Sequence, residues 1–507
     1  MFIGLDIGTS STKGVLVDTE GTVIATAVST YDFDRPKPGW SEQDPVAWWQ
    51  ATREVLRNLC SQTDARQIRG LGLSGQMHGC VLLDAASLRD AGSRQVNALR
   101  PALMWNDQRT AKQCAEILDR MGGAQRLITL TGNTALTGFT LPKLLWVREH
   151  EPEVYDRARC MMMPKDYVRL CLCSEAATDV GDAAGTLLFD VERRVWCREV
   201  VDAVQICDDL LPRVHESGAI AGHITKWAAA ETGLPVGTPI TAGSGDNQCG
   251  GIGAGAASAG AIVLTLGTSG VVFAHTDACL RDLDPHTPGR VHTMCSATGN
   301  ETRMGAWTIT GCMLSAAGSL EWARSVLAPT VSFDELITEA STIAPGCDGL
   351  MFLPHLTGER CPHPDPHARG AWVGLSRSHT RGHLVRAVLE GVSFTLAQVL
   401  ELVLSLGIEA REVRIGGGGA RSMLWRQITA DIIGRPIVTL ANDEGPAHGA
   451  SLLAAVSGGA FSSIPEACNR AVRAAASTNP SQNSPHYASL HERYASLYPA
   501  LADYMHQ

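Results

Sequence analysis

Two hexapeptides constrain this chain more than any other feature. Residues 5–10 read LDIGTS and residues 264–269 read LTLGTS. They share Leu, Gly, Thr and Ser, and differ where Asp6 is replaced by Thr265. Each is preceded by an apolar run and followed by a second strand-like stretch, STKGVLVD (11–18) and SGVVFAH (269–275). The pattern predicts a strand, a tight Gly-Thr turn and a returning strand, made twice. The separation is far longer than a solenoid period, so the repeat implies two duplicated halves. At 507 residues the chain exceeds a single core, which agrees. The Gly- and Pro-rich stretch at 236–246 divides the chain into expected domains 1–244 and 245–507.

The remaining pattern alternates strands and helices. TVIATAVS (22–29) continues the first hairpin as a third strand, after a Glu20-Gly21 turn. Leu384, Val388, Val392 and Leu396 recur every four residues and predict an amphipathic helix. A strand at 413–415, the turn GGGGA, a helix around 422–433 and the strand PIVTL follow. Such alternation predicts an α/β fold. Residues 474–488, rich in Ser, Asn and Pro, read as a loop before a last helix.

Composition narrows the function classes. A net charge of −10 with no basic block gives no support to nucleic-acid or anionic-membrane binding. The start MFIGLDIG carries no signal-peptide pattern, and AIVLTLGTSGVVFA is too short and too broken to span a bilayer. Fifteen scattered cysteines without a C-x-x-C pair fit reduced, buried thiols. A cytoplasmic protein, monomer or homodimer, is expected.

A strand ending in Asp-x-Gly-Thr-Ser has a chemical use. Glycine and small hydroxyl residues let backbone N–H groups approach phosphate oxygens, and an Asp before the turn can hold Mg²⁺. Two such hairpins could grip a triphosphate with one metal-binding carboxylate; two unrelated Gly-Thr turns remain the alternative. In SGDNQCGGIGAG (244–255), Asp246 follows an apparent strand and opens a small-residue helix. It can be a general base aimed into a cleft or an ordinary helix N-cap. Other motifs fall away. There is no P-loop and no G-x-S-x-G elbow, and GIGAGA (251–256) lacks the acidic partner of a dinucleotide site. In CPHPDPH (361–367), the prolines oppose the helix that an H-x-x-x-H zinc pair needs.

Seven segments, DIGTSSTKGVLVD (6–18), SGQMHG (74–79), WNDQR (105–109), TDVGDAAGTLLFD (178–190), GDNQCGG (245–251), LGTSG (266–270) and GGGGARS (416–422), resemble in order the motifs of the FGGY family of carbohydrate kinases. The resemblance implies two duplicated ribonuclease H-like domains of the actin, Hsp70 and hexokinase type, with a catalytic cleft between them. Within the family the motifs are most similar to those of xylulose kinases, as are GFTLPKLLWVREHEP (138–152) and LTGERCPHPDPHARG (356–370). The implied substrates are D-xylulose and ATP with Mg²⁺.

The resemblance also implies residue roles. Asp246 becomes the catalytic base and Asp6 the carboxylate organising the metal, with both near Mg²⁺. Met77, His78, Trp105, Asp107 and Asn247 become sugar contacts. Thr9 and Lys13 belong to the first phosphate hairpin and Thr268 to the second. Gly318, Gly418, Gly419 and Met423 fall where relatives hold adenosine, although Met423 replaces a polar residue of some relatives. The rival readings are a kinase for ribulose, glycerol or another polyol, and a non-catalytic actin-like ATP-binding protein. The catalytic reading requires Asp6 and Asp246 to meet in one crevice between the halves.

Overall fold

The computed structural model describes residues 1–441 and 444–506. Each hexapeptide ends the first strand of a seven-stranded sheet. In the N-terminal half, Phe2–Ile7 pairs antiparallel with Ser11–Val17, which pairs antiparallel with Val23–Thr30. On its other side, Phe2–Ile7 runs parallel to Leu71–Gly75, followed by Pro239–Thr241 and the antiparallel edge strand Ile220–His223. In the C-terminal half, Ala261–Leu266 pairs antiparallel with Gly270–Thr276, which pairs antiparallel with Trp307–Met313. On its other side come parallel Glu412–Gly416, parallel Ile437–Leu440 and antiparallel Ala474–Thr478. Six strands of each sheet therefore repeat one another in order and direction, which is the expected duplicated α/β architecture; the seventh differs, Ser244–Gly245 joining Leu71–Gly75 in the first sheet and His292–Cys295 flanking Trp307–Met313 in the second.

Burial follows position in the sheet. Phe2–Ile7 is buried on both faces, as a central strand covered by helices must be. Val23–Thr30 alternates half-buried and exposed residues, the mark of an edge strand with one solvated face.

The halves are joined through small residues. The helix Gly445–Ser457, from the C-terminal half, lies against strands Phe2–Ile7 and Leu71–Gly75 and against the helix Asp246–Gly253. A Cβ on Gly72 would lie 1.8 Å from the Ala450 carbonyl oxygen. A Cβ on Gly449 would lie 1.8 Å from that of Cys249. Backbones this close admit no side chain. Around the seam Phe2, Val15 and Val17 share one apolar cluster with Ile252, Leu452 and Leu453.

Two expectations need correction. The helix through Leu384 and Leu396 spans Arg381–Ser405 and is buried on nearly every face, so it is a central core helix rather than an amphipathic one. Its length and apolar composition match a membrane span, but helices Phe333–Ser341 and Met423–Ile433 and the sheet cover it. The stretch read as a loop from 474 contains the strand Ala474–Thr478 and then the helix Ser484–Ala495. The open edge of Ile437–Leu440 recruits these small residues by backbone pairing, whatever their weak strand propensity.

Candidate active site

Sheet register places the two carboxylates. Asp6 sits beside Ser74 on the parallel strand, and the Ser74 hydroxyl donates to Asp6 Oδ1 at 3.0 Å. Ser244 pairs with the other edge of Ser74, and the chain then enters the helix Asp246–Gly253. Gly245, not Asp246, occupies the cap position, so the Asp246 carboxylate is not that helix's cap. Its Oδ1 accepts from the Asn247 backbone N–H at 2.7 Å.

Both acids are half-buried. Burial raises Asp6 to about 6. Burial, and after it the charge of Asp6, raises Asp246 to about 7. The two carboxylates are thus close enough for one to feel the other's charge, although Asp246 lines the cavities described next and Asp6 lines neither.

Asp246 and Asn247 line two cavities at once. The first, of about 270 Å³, is walled by Met77, His78, Trp105, Gly138 and Phe139 of the N-terminal half and by Ser269, His292, Thr310 and Arg360 of the C-terminal half. The second, of about 360 Å³, lies against Thr265, Gly416, Gly417, Gly445 and Pro446.

His78 is the most constrained residue of the first cavity. It adopts φ 66°, a conformation rare outside glycine. Its ring packs edge-on to Phe139 with centroids 4.5 Å apart, and its Nδ1 lies 2.8 Å from the Gly185 carbonyl. Burial and the neighbouring Lys143 push its pKa down to about 3, so the ring is neutral. A neutral imidazole facing a carbonyl through Nδ1 must carry its proton there, which leaves Nε2 as an acceptor. Gly185, in the segment TDVGDAAGT, makes this possible: a Cβ there would lie 2.7 Å from the ring. Met77 is buried beside it, its sulfur 3.7 Å from the Asn247 amide. Trp105 is held by its indole N–H, which donates to Thr9 Oγ1 at 3.0 Å.

Other expected site residues lie elsewhere. Asp107 is fully buried, and both its oxygens are taken by Arg109, with Ser41 N–H at 2.7 Å. Arg109 in turn stacks over Trp40. Asp107 is therefore a structural partner for a buried guanidinium and does not reach the cavity, a correction to its expected sugar contact. Lys13 forms a 2.6 Å ion pair with Glu444, linking the two halves, and lines neither cavity.

Where the nucleotide is expected, Gly416 and Gly417 line the second cavity, one step before the expected Gly418 and Gly419. Gly418 faces open space, whereas Gly419 packs against Leu266 and Trp425. Met423 is exposed at the start of the helix Met423–Ile433. Gly318 and Thr268 are brought together: the Gly318 N–H donates to the Thr268 carbonyl at 3.2 Å.

Phe139, His292, Thr310, Arg360, Gly417 and Gly445 were not singled out from sequence. Phe139 and Arg360 lie within segments carrying the family resemblance, which was the available signal. His292 sits in a plain strand and had none.

The acid pair fits a magnesium ion. Among the described residues no group of three or more His, Cys, Asp or Glu converges on a metal position. The Asp6 and Asp246 carboxylates are hard oxygen donors of the kind Mg²⁺ takes, since it completes its shell with water and phosphate oxygens.

Comparison with known proteins agrees with this architecture. Residues 1–253 match the N-terminal domain of the FGGY family of carbohydrate kinases, and residues 262–458 match its C-terminal domain. The xylulose kinase of Bacillus subtilis (strain 168) is 39% identical over 504 residues, covering 99% of this chain and 97% of that one. The xylulose kinase of Escherichia coli (strain K12) is 39% identical over 457 residues, covering 90% of each. The crystal structure of a kinase from Brucella ovis, described as a xyloylose kinase, superposes with a TM-score of 0.90 at 33% identity and covers 99% of both chains. Two sequence-matched domains and near-complete coverage lead to one conclusion: this chain is an enzyme of the FGGY family of carbohydrate kinases.

Proposed function

We propose that the protein transfers the terminal phosphoryl group of ATP to the 5-hydroxyl of D-xylulose, giving D-xylulose 5-phosphate and ADP. The observation that carries the reading is the position of Asp246, which lines both cavities where they meet. The xylulose kinase relatives supply the choice of sugar.

In this reading the sugar occupies the 270 Å³ cavity with its reacting hydroxyl toward Asp246. The carboxylate takes the hydroxyl proton as the oxygen attacks phosphorus. His78 Nε2 accepts from a sugar hydroxyl, Trp105 packs on the carbon skeleton and Asn247 orients the acceptor end. The triphosphate lies toward the Gly416-Gly417 turn and Gly445, where backbone without Cβ lets phosphate approach. Asp6 and Asp246 would hold Mg²⁺, which when bound neutralises phosphate charge. Apposition of the halves excludes water as a competing acceptor.

The test is ADP release with D-xylulose, D- and L-ribulose, glycerol and no sugar. The expected result is ADP formation dependent on D-xylulose, with at least about tenfold lower kcat/KM for the other sugars. ADP formation indifferent to sugar, or best with glycerol, would overturn the assignment.

A further inference from the structure

The cavity given to the sugar is not an N-terminal site alone. His292, Thr310, Cys312 and Arg360 of the C-terminal half complete its wall. Among them Arg360 is unusual. Among the described residues its guanidinium has no ion pair and no hydrogen-bond partner; only its backbone N–H is engaged, on Glu359 at 2.8 Å. Glu359 is committed elsewhere, accepting from the Leu314 N–H at 2.8 Å and meeting His355 Nδ1 at 2.9 Å. The loop backbone is therefore fixed while its cation faces the cavity unpartnered.

Its surroundings hold neutral acceptors. His78, Phe139 and His292 form a row of rings, with centroid separations of 4.5 and 5.5 Å. Asn133 donates its amide to the Thr131 and Thr293 carbonyls at 3.1 and 2.9 Å, which fixes its oxygen as the acceptor facing His292 Nδ1 at 3.0 Å. Burial and the charge of Arg360 hold His292 at about 3, so it is neutral and its Nε2 is an acceptor. The Arg360 charge is felt at His78 as well. The cavity is thus polarised. Asp246 contributes a carboxylate to its wall, and Arg360 contributes a guanidinium whose charge reaches both neutral imidazoles.

A chain of hydroxyl groups alone does not call for a fixed cation, because each hydroxyl both donates and accepts. A guanidinium offers donors only. It matches an oxygen that only accepts. We propose that Arg360 is a specificity-determining residue that donates to the carbonyl oxygen of an open-chain ketose, while His292 Nε2 accepts from an adjacent hydroxyl. The inference rests on the sugar-kinase reading above. It means that both halves hold the sugar, so a substrate lacking the carbonyl fails to bridge them.

Steady-state kinetics of the full chain carrying Arg360→Gln tests this, with D-xylulose and ATP varied separately. The expected result is a loss of about 10- to 100-fold in kcat/KM for D-xylulose. The KM for ATP and the melting temperature should stay unchanged. Inhibition by D-arabinitol, the reduced counterpart without the carbonyl, should change by less than about threefold. His292→Gln, which retains an acceptor, should lose less than His292→Leu. A kcat/KM within about threefold of the unmodified enzyme overturns the proposal, as do equal losses for ketose and alditol. A parallel rise in both KM values or a lowered melting temperature marks a structural role and overturns it too. If the unmodified protein shows no sugar-dependent ADP release, the failure belongs to the kinase reading instead.

Discussion

The ammonium of Lys143 lies 2.9 Å from the carbonyl oxygen of His78 and 2.7 Å from that of Gly138, in a place with no solvent exposure. Burial lowers its pKa to about 7. Both carbonyls belong to cavity residues, and one belongs to a residue at positive φ that needs holding. Lys143→Met removes both hydrogen bonds and leaves two buried acceptors. The expected cost is about 2–4 kcal/mol of stability by urea unfolding, with a raised KM for sugar and an unchanged KM for ATP. A variant binding sugar as tightly as the parent would show that the cavity wall holds without this anchor.

Gly185 offers a sharper probe of the same wall. Adding a methyl group places carbon 2.7 Å from the His78 ring, against which it cannot remain. The imidazole must turn away and lose its Gly185 hydrogen bond. Gly185→Ala is expected to cost about 1–3 kcal/mol of stability by urea unfolding, with a rise in sugar KM at nearly constant ATP KM. Unaltered sugar kinetics would show that the position of His78 is immaterial to binding.

What could be read from sequence divides along physical lines. The paired hairpins were legible because strand, turn and returning strand are all local, and the missing carboxylate at Thr265 stood in plain view. Asp6, Met77, His78 and Asp246 were likewise marked by short motifs at strand ends. Asp107 misled because Trp105, two residues earlier, does line the cavity; the Arg109 that claims Asp107 shares the same pentapeptide. His292 was illegible as a cavity residue because only tertiary folding brings it to Phe139, and Arg360, though inside a segment of family resemblance, is aimed at the same cavity only by the fold. The same holds for Gly445–Ser457, whose partner strands begin at the other end of the chain.

Asp246 makes the pH dependence explicit. Its pKa is raised from 3.8 to about 7, and the base form is the ionised one. In the proposed reaction kcat/KM for sugar should therefore rise with pH through about 7, and Asp246→Asn should lower turnover by about 10²–10⁴-fold. The stability effect has the opposite sign. The folded state holds the proton more tightly than the unfolded chain, so this contribution is complete below about pH 4 and lost as pH rises through 7. Asp6 behaves alike through about pH 6. Asp246→Asn, relieved of a buried like-charge contact, should stabilise the free protein at pH 8 by on the order of 1–2 kcal/mol. At pH 4 it should change little. Equal melting temperatures of the two proteins at pH 8 would show that the acids do not strain one another.

The seam between the halves gives the last prediction. Gly449 on the helix Gly445–Ser457 meets the Cys249 carbonyl of the helix Asp246–Gly253, where an added Cβ would approach to 1.8 Å. Backbone cannot rotate out of the way as a side chain can, so Gly449→Ala must push the two helices apart. Asp246 begins one of them, and Gly445 and Pro446 of the second cavity begin the other. The displacement therefore reaches the reacting end without touching a cavity residue. We expect a loss of about 1–3 kcal/mol in stability, with a fall in kcat larger than the rise in either KM, measured by unfolding and steady-state kinetics. Gly449→Ala with unchanged kcat at reduced stability would mean that the seam joins the halves without setting the position of Asp246.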